Sequence, residues 1–262
     1  MMQKSILFKN ANISFSDEGK GTAVVLIHGF LENSTMWKNI IPALINNNRI
    51  ITVDILGHGK SDCLGYVHSM ELFAEAIETV LKHLKIRKYI LVGHSLGGYI
   101  SMALAKNNPS KIKGLCLLNS TSNADSEALK IRRIRANKMA QNNFENLIKM
   151  SFSNLFSLES RTTFKEGIKL ALQEALKTPV QGYIAASEGM RIRPNRNHIL
   201  SENNFKKLII VGEKDPVLDA KTAILESEKT NAELVVLSGG HMSHIENREE
   251  LIGVLKAFIK DC

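Results

Sequence analysis

Three side chains in this sequence are of the types and in the places that acyl-transfer chemistry requires: Ser95, Asp215 and His241. Ser95 stands in Val92-Gly93-His94-Ser95-Leu96-Gly97-Gly98, between the apolar run Tyr89 to Val92 and a helical stretch from Tyr99 to Ala105. A strand, a tight turn and a helix therefore meet at one serine. Glycine stands two residues away on each side, as needed where a side chain would strike the backbone across the turn. A hydroxyl there sits at a helix N-terminus, whose unpaired N–H groups favour developing negative charge. Serine is a poor nucleophile at its own pKa and needs a base in hydrogen-bond contact. Imidazole titrates near neutrality and suits that task, and a carboxylate then fixes its tautomer and stabilises the imidazolium.

The elements that must hold these groups follow from the apolar patterning. Residues 4–8 and 11–16 read as two short strands joined by Lys9-Asn10, and 17–21 as a turn. Continuous apolar runs at 22–27, 49–53, 89–92, 114–119, 207–211 and 233–237 read as strands buried on both faces. Helices are expected over about 34–46 with Ser34 as N-cap, 69–84, 219–229 and 249–259. Alternation of strand and helix argues for right-handed crossovers and a mostly parallel sheet. Active groups in such sheets gather beyond the C-terminal ends of the strands. His28-Gly29-Phe30, the Ser95 turn, Asp215 and His241 all fall there. His28, His58, His94 and His244 are rival bases, and Asp54 and Asp219 rival acids. Asp219 is better placed to begin a helix, and His244 to pack or hydrogen-bond.

Between about Thr121 and Phe205 the strand signal vanishes, leaving helical stretches at 125–141, 144–152, 158–176 and 180–191. The expected organisation is a core of 1–120 and 206–262 with a helical insertion, 121–205, after the sixth strand. The insertion carries 13 Lys and Arg against eight acids, so most of the chain's net charge of +8 lies within it. A solvated helical face explains that excess, and an acidic substrate or carrier would match it.

At 262 residues, 44% hydrophobic and 23% charged, the chain has the composition of an ordinary globular protein. No apolar run reaches the roughly 20 residues that span a bilayer, and residues 1–10 lack the apolar core of a secretory signal. A cytoplasmic location without membrane association is the expectation. Cys63, Cys116 and Cys262 are scattered and odd in number, so neither a disulfide framework nor a metal-ligand spacing is visible. No metal or organic cofactor is implied, and no nucleic-acid-binding signature accompanies the basic charge.

His28-Gly29-Phe30, Asp54 to Ser61, Gly93 to Gly98, Gly212 to Pro216 and Gly240 to Glu246 together resemble an α/β-hydrolase fold enzyme with a helical cap. The likeness covers the whole chain outside the insertion, and the order serine, aspartate, histidine is that of this fold. It implies a mostly parallel eight-stranded sheet flanked by helices, with Ser95 as nucleophile, His241 as base and Asp215 as orienting acid. The oxyanion hole would be the backbone N–H groups of Leu96 and Phe30, with His28 and Gly29 shaping the loop. The Asp54 loop resembles a structural motif of the family. Met139, Phe152 and Met190 are candidate substrate-binding residues of the cap. The resemblance implies a small-molecule or acyl-chain ester or thioester, possible carrier attachment included. It also admits lactonases, C–C bond hydrolases, a menaquinone-pathway lyase and ligand-sensing members. Dehalogenases and epoxide hydrolases carry aspartate where this chain has Ser95.

Overall fold

A computed structural model of the chain describes residues 2–262; Met1, the first residue of the expected core, lies outside the described residues. Eight strands form one sheet: β1 (Gln3–Phe8), β2 (Ala11–Gly19), β3 (Thr22–Ile27), β4 (Asn48–Val53), β5 (Tyr89–His94), β6 (Ile112–Leu118), β7 (Lys206–Gly212) and β8 (Glu233–Leu237). Their order is β1-β2-β4-β3-β5-β6-β7-β8. β1 and β2 form an antiparallel hairpin and β2 runs antiparallel to β4, while all pairs from β4 to β8 are parallel. The turn expected at 17–21 is shorter than that, because Asp17 to Gly19 continue β2 in register with Ile51 to Arg49.

Alternation along β3 divides the core. Val25 and Ile27 face one apolar layer, and Val24 and Leu26 the other. The first layer is closed by Phe73, Ile77 and Val80 and by Ile100 and Leu104. The second is closed by Trp37, Ile40, Leu251, Leu255 and Phe258. Fully burying each such side chain is worth about 1.5–3 kcal/mol.

The helix expected over 34–46 is broken into a 3₁₀ turn at Ser34–Trp37, α1 (Ile41–Leu44) and a second 3₁₀ turn at Ile45–Asn47. Pro42 cannot donate the i to i−4 bond that would join the first two. The cap is Asn33, whose Oδ1 accepts the Thr35 N–H at 3.0 Å, while the Ser34 N–H goes to Asp54 Oδ1 at 2.7 Å. α2 (Met70–His83) begins as expected, with Ser69 Oγ accepting the Leu72 N–H at 3.1 Å, a cap worth about 1 kcal/mol. α3 (Leu96–Asn107) follows the serine turn directly.

Between β6 and β7 the described chain is helical: α4 (Glu127–Phe152), α5 (Ser160–Thr163), α6 (Lys165–Ala175), α7 (Val180–Arg191) and α8 (Asn197–Glu202). The two helices expected over 125–141 and 144–152 are the two halves of α4, which meet at a kink at Asn143 (φ −153°, ψ 55°), and the stretch 158–176 is divided at Phe164. Ile148, Phe152, Phe156 and Tyr183 of this insertion pack with Leu31, which follows β3, and Met242, which follows β8. The insertion is thereby fastened over the strand ends. α9 (Ala220–Thr230), α10 (Ser243–Glu246) and α11 (Arg248–Asp261) complete the chain, and Asp219 caps α9 by accepting the Lys221 N–H at 3.0 Å.

Candidate active site

Ser95 has φ 49° and ψ −113°, a left-handed conformation that a side chain adopts only when its surroundings impose it. A Cβ at Gly93 would collide with the backbone of Gly97, and one at Gly97 with the carbonyl of Ile27. The end of β6 grips the turn from below: the Ser95 N–H donates to Leu118 O at 2.9 Å, and Ser120 Oγ donates to Ser95 O at 2.7 Å. The hydroxyl is thus presented where β5 becomes α3.

The three candidate residues meet. His241 Nδ1 lies 2.8 Å from Asp215 Oδ2, and His241 Nε2 lies 3.0 Å from Ser95 Oγ. A carboxylate only accepts, so Nδ1 carries the proton and Nε2 is left to accept the Ser95 O–H. Asp215 is fixed from three sides, its Oδ1 accepting the N–H groups of Val217 (2.8 Å) and Leu218 (3.0 Å), its Oδ2 the Asn119 amide (3.1 Å). Burial works to raise the Asp215 carboxyl, but His241 and the Leu218 and Val217 N–H groups outweigh it and hold it below the usual value. The His241 loop is braced in turn: its N–H donates to Leu155 O at 3.0 Å, and Glu246 accepts the N–H groups of Gly240 (2.9 Å), Met242 (3.0 Å) and Ser157 (3.1 Å).

Ser95 and His241 open into a cavity of about 220 Å³ whose walls include Phe30, Leu31, Tyr99, Arg133, Phe152, Tyr183, Met190 and Met242. Among the described residues, no hydrogen bond engages the Phe30 N–H. Leu96 is the first residue of α3, where an N–H has no partner within the helix. Of the three cap candidates, Phe152 and Met190 line this cavity and Met139 does not. Met139 is 57% exposed, one position off the face of α4 that buries Asn137, Ala140, Ile148 and Phe152.

A model of the α/β-hydrolase fold family matches residues 22–248. The chain belongs to the α/β-hydrolase fold family. Over 252 residues it is 30% identical to the dihydrolipoyllysine-residue acetyltransferase component of an acetoin cleaving system from Pseudomonas putida. That match takes in 92% of this chain but 64% of the relative, so the chain spans less than two thirds of the relative's length. The 3-oxoadipate enol-lactonase 1 of Acinetobacter baylyi is 24% identical over 257 residues, 96% of this chain and 94% of that one. Among solved structures, a malate-bound thermophilic esterase from Thermogutta terrifontis matches with a TM-score of 0.93 at 25% identity, covering 100% of this chain and 99% of that one.

The rival histidines and acids of this α/β hydrolase have other work. His28 donates from Nδ1 to Gly29 O (2.8 Å) and accepts the Ile55 N–H at Nε2 (3.0 Å), which shapes the loop as the sequence suggests. Asp54 accepts the N–H groups of Ser34 (2.7 Å) and Lys60 (3.0 Å), joining two loops. His94 lies beneath the serine, with Nδ1 2.7 Å from Glu32 Oε2 and Nε2 2.9 Å from His241 O. Glu32, His94 and His244 bring ligand-type atoms within 4.8 Å of one another. A cation at His94 Nδ1 would have to displace the Glu32 contact, so the trio reads as an ion pair with a neutral His244 beside it.

Glu32, Asn119 and Arg133 carry no motif that singles them out in the sequence. Asn119 is the exception in one respect, since it ends the apolar run of β6 at a strand C-terminus, the position where site residues collect. Arg133 and Glu32 become visible only once α4 and the loop after β3 are brought to the cavity.

Proposed function

We propose that this chain is a serine hydrolase that cleaves a carboxylic ester, or the chemically related thioester, of a small substrate through an acyl-enzyme. The hydrogen-bonded series Ser95–His241–Asp215, opening into a cavity beside an unengaged Phe30 N–H, supports this reading. Ser95 Oγ attacks the substrate carbonyl carbon as its proton passes to His241 Nε2, and Asp215 stabilises the imidazolium. The carbonyl oxygen becomes an oxyanion held by the N–H groups of Phe30 and Leu96. The intermediate collapses as His241 protonates the leaving alcohol, and the acyl group stays on Ser95. Water, deprotonated by His241, then attacks the ester carbonyl, and the carboxylic acid leaves as Ser95 recovers its proton.

The cavity favours a short acyl group. Pockets for drug-sized ligands hold about 300–1,000 Å³, and this one is about 220 Å³, walled by Leu31, Phe152, Met190 and Met242. Arg133 places a cation in the same wall, held by Asp125 at 2.5 Å. The enol-lactonase relative is compatible with this scheme, because a lactone is an ester whose leaving alcohol stays tethered. Helices α4 to α8 act as the cap that sets the substrate.

The test is hydrolysis of p-nitrophenyl esters of graded acyl length by wild type and Ser95→Ala. Turnover that peaks at short acyl chains and vanishes in the variant is expected. An unreactive wild type that also resists fluorophosphonate labelling at Ser95 would overturn the reading.

A further inference from the structure

Each reacting group of the proposed mechanism lies on a different loop: Phe30 after β3, Ser95 after β5 and His241 after β8. One buried side chain reaches all three. Glu32 Oε2 accepts the Gly29 N–H at 2.6 Å, one residue before Phe30. The same oxygen holds His94 Nδ1 at 2.7 Å, one residue before Ser95. Because a carbonyl only accepts, His94 Nε2 must donate to His241 O at 2.9 Å, and so the ring passes Glu32's hold to the base itself. We propose that Glu32, acting through His94, is a positioning residue that sets the oxyanion loop, the nucleophile and the base at their working separations.

Three observations carry this reading beyond that of a structural ion pair. Glu32 and His94 are both buried, and the ring of His94 packs 5.3 Å from that of His241. The room for the junction is reserved in the backbone, since a Cβ at Gly29 would lie 2.6 Å from Glu32 Oε2 and 2.8 Å from His94 Nδ1. Both partners line the cavity that holds Ser95, so the junction is a wall of the site and not a remote staple. The charged and titratable groups facing it are His241, His244 (Nε2 3.9 Å from Glu32 Oε1), His28 and, toward His94, Asp215. Burial works to raise the Glu32 carboxyl, yet the His94 ring overcomes it and holds the acid down at about 2. Burial likewise works to lower His94, and Glu32 carries it above the usual imidazole value. Nδ1 faces a carboxylate oxygen and Nε2 a carbonyl oxygen, both acceptors, so the two contacts require both ring nitrogens to donate, as in a carboxylate–imidazolium pair.

This inference rests on the serine-hydrolase reading, and its test keeps the two apart. Wild type, Glu32→Gln and Glu32→Ala would be titrated with a fluorophosphonate to count reactive Ser95, then assayed for kcat and KM per titrated site on p-nitrophenyl acetate. A misplacement of about 1 Å costs about 10²-fold in rate, so Glu32→Ala should lose about that much kcat per site. Its KM should stay within about threefold of wild type, because no substrate contact is removed. Glu32→Gln can set its amide oxygen at the shared position, where it accepts from both the Gly29 N–H and the His94 Nδ1–H but without the carboxylate's charge, and should recover about tenfold of the loss. Should Glu32→Ala not fold, Glu32→Gln alone should still lie about tenfold below wild type in kcat per site. Unchanged kcat per titrated site in either variant, with only the titratable fraction reduced, would overturn the proposal. A wild type that neither labels nor turns over would instead sink the hydrolase reading on which it stands.

Discussion

Asn119 donates its side-chain N–H to Asp215 Oδ2 at 3.1 Å and to Gly240 O at 3.2 Å, while its Oδ1 accepts Ser243 Oγ at 2.7 Å. It does so from a left-handed backbone, φ 46°, at the first residue beyond β6. One amide therefore ties Asp215 to the loop that carries His241. Asn119→Gly preserves that backbone and removes only the side chain. It should lower kcat about tenfold with little change in KM, and cost about 1–3 kcal/mol for the orphaned buried polar groups. Steady-state kinetics beside urea denaturation check both; wild-type kcat would show that Asp215 needs no such brace.

The conformation of Ser95 makes a separate stability prediction. A non-glycine residue in this region stores about 1–3 kcal/mol of strain. Ser95→Ala and Ser95→Gly both lose the bond to His241, but only glycine also relaxes the backbone. Both variants should be inactive, with Ser95→Gly the more stable by about 1 kcal/mol, which is about 2–4 °C in Tm for a protein of this size. Equal Tm values would mean that the turn carries no strain.

Three buried histidines set the acid limit of the fold. Burial, first among the causes for each, pushes His58 down to about 3 and His68 and His244 down to about 4. Between the ordinary value of 6.5 and about 4, the unfolded chain takes up protons on these rings that the folded chain refuses. Stability therefore falls as pH drops through that window. His94 has the opposite sign: its raised value adds stability that is full below 6.5 and fades as pH rises through the folded value. Tm measured from pH 7 to pH 4 should decline steadily below 6.5. A flat Tm down to pH 4 would contradict the burial of neutral imidazoles.

The candidate specificity residues divide cleanly. Phe152 and Met190 are 2% and 3% exposed and line the cavity, while Met139 faces outward. Phe152→Ala and Met190→Ala should shift the preferred acyl length upward and change KM. Met139→Ser should leave the acyl-length profile unaltered. An altered profile in Met139→Ser alone would mean that the cavity described is not the substrate's.

What could be read from the sequence was what local chemistry determines. Gly93, Ser95 and Gly97 announce a turn because no other spacing lets the chain bend there, and the continuous apolar runs of β3, β5 and β6 announce buried strands. The breaks were harder to see. Pro42 splits the helix expected over 34–46 and Phe164 divides the stretch expected over 158–176, whereas the interruption at Asn143 falls between the two helices expected there. Met139 was misplaced because α4 has a weak apolar stripe, so one residue of rotation decides between cavity and solvent. Glu32 was invisible for a different reason. Its meaning depends on Gly29, His94 and His241 meeting in space, and nothing in the separation of 62 residues between Glu32 and His94 foretells that contact.

The central claim is that Ser95 becomes acylated. Wild type mixed rapidly with p-nitrophenyl acetate, quenched in acid and digested, should yield the Ser95 peptide heavier by one acetyl group, together with a burst of p-nitrophenolate stoichiometric with enzyme. Acetylation found elsewhere, or Ser95→Ala that turns the ester over as fast as wild type, would contradict the account.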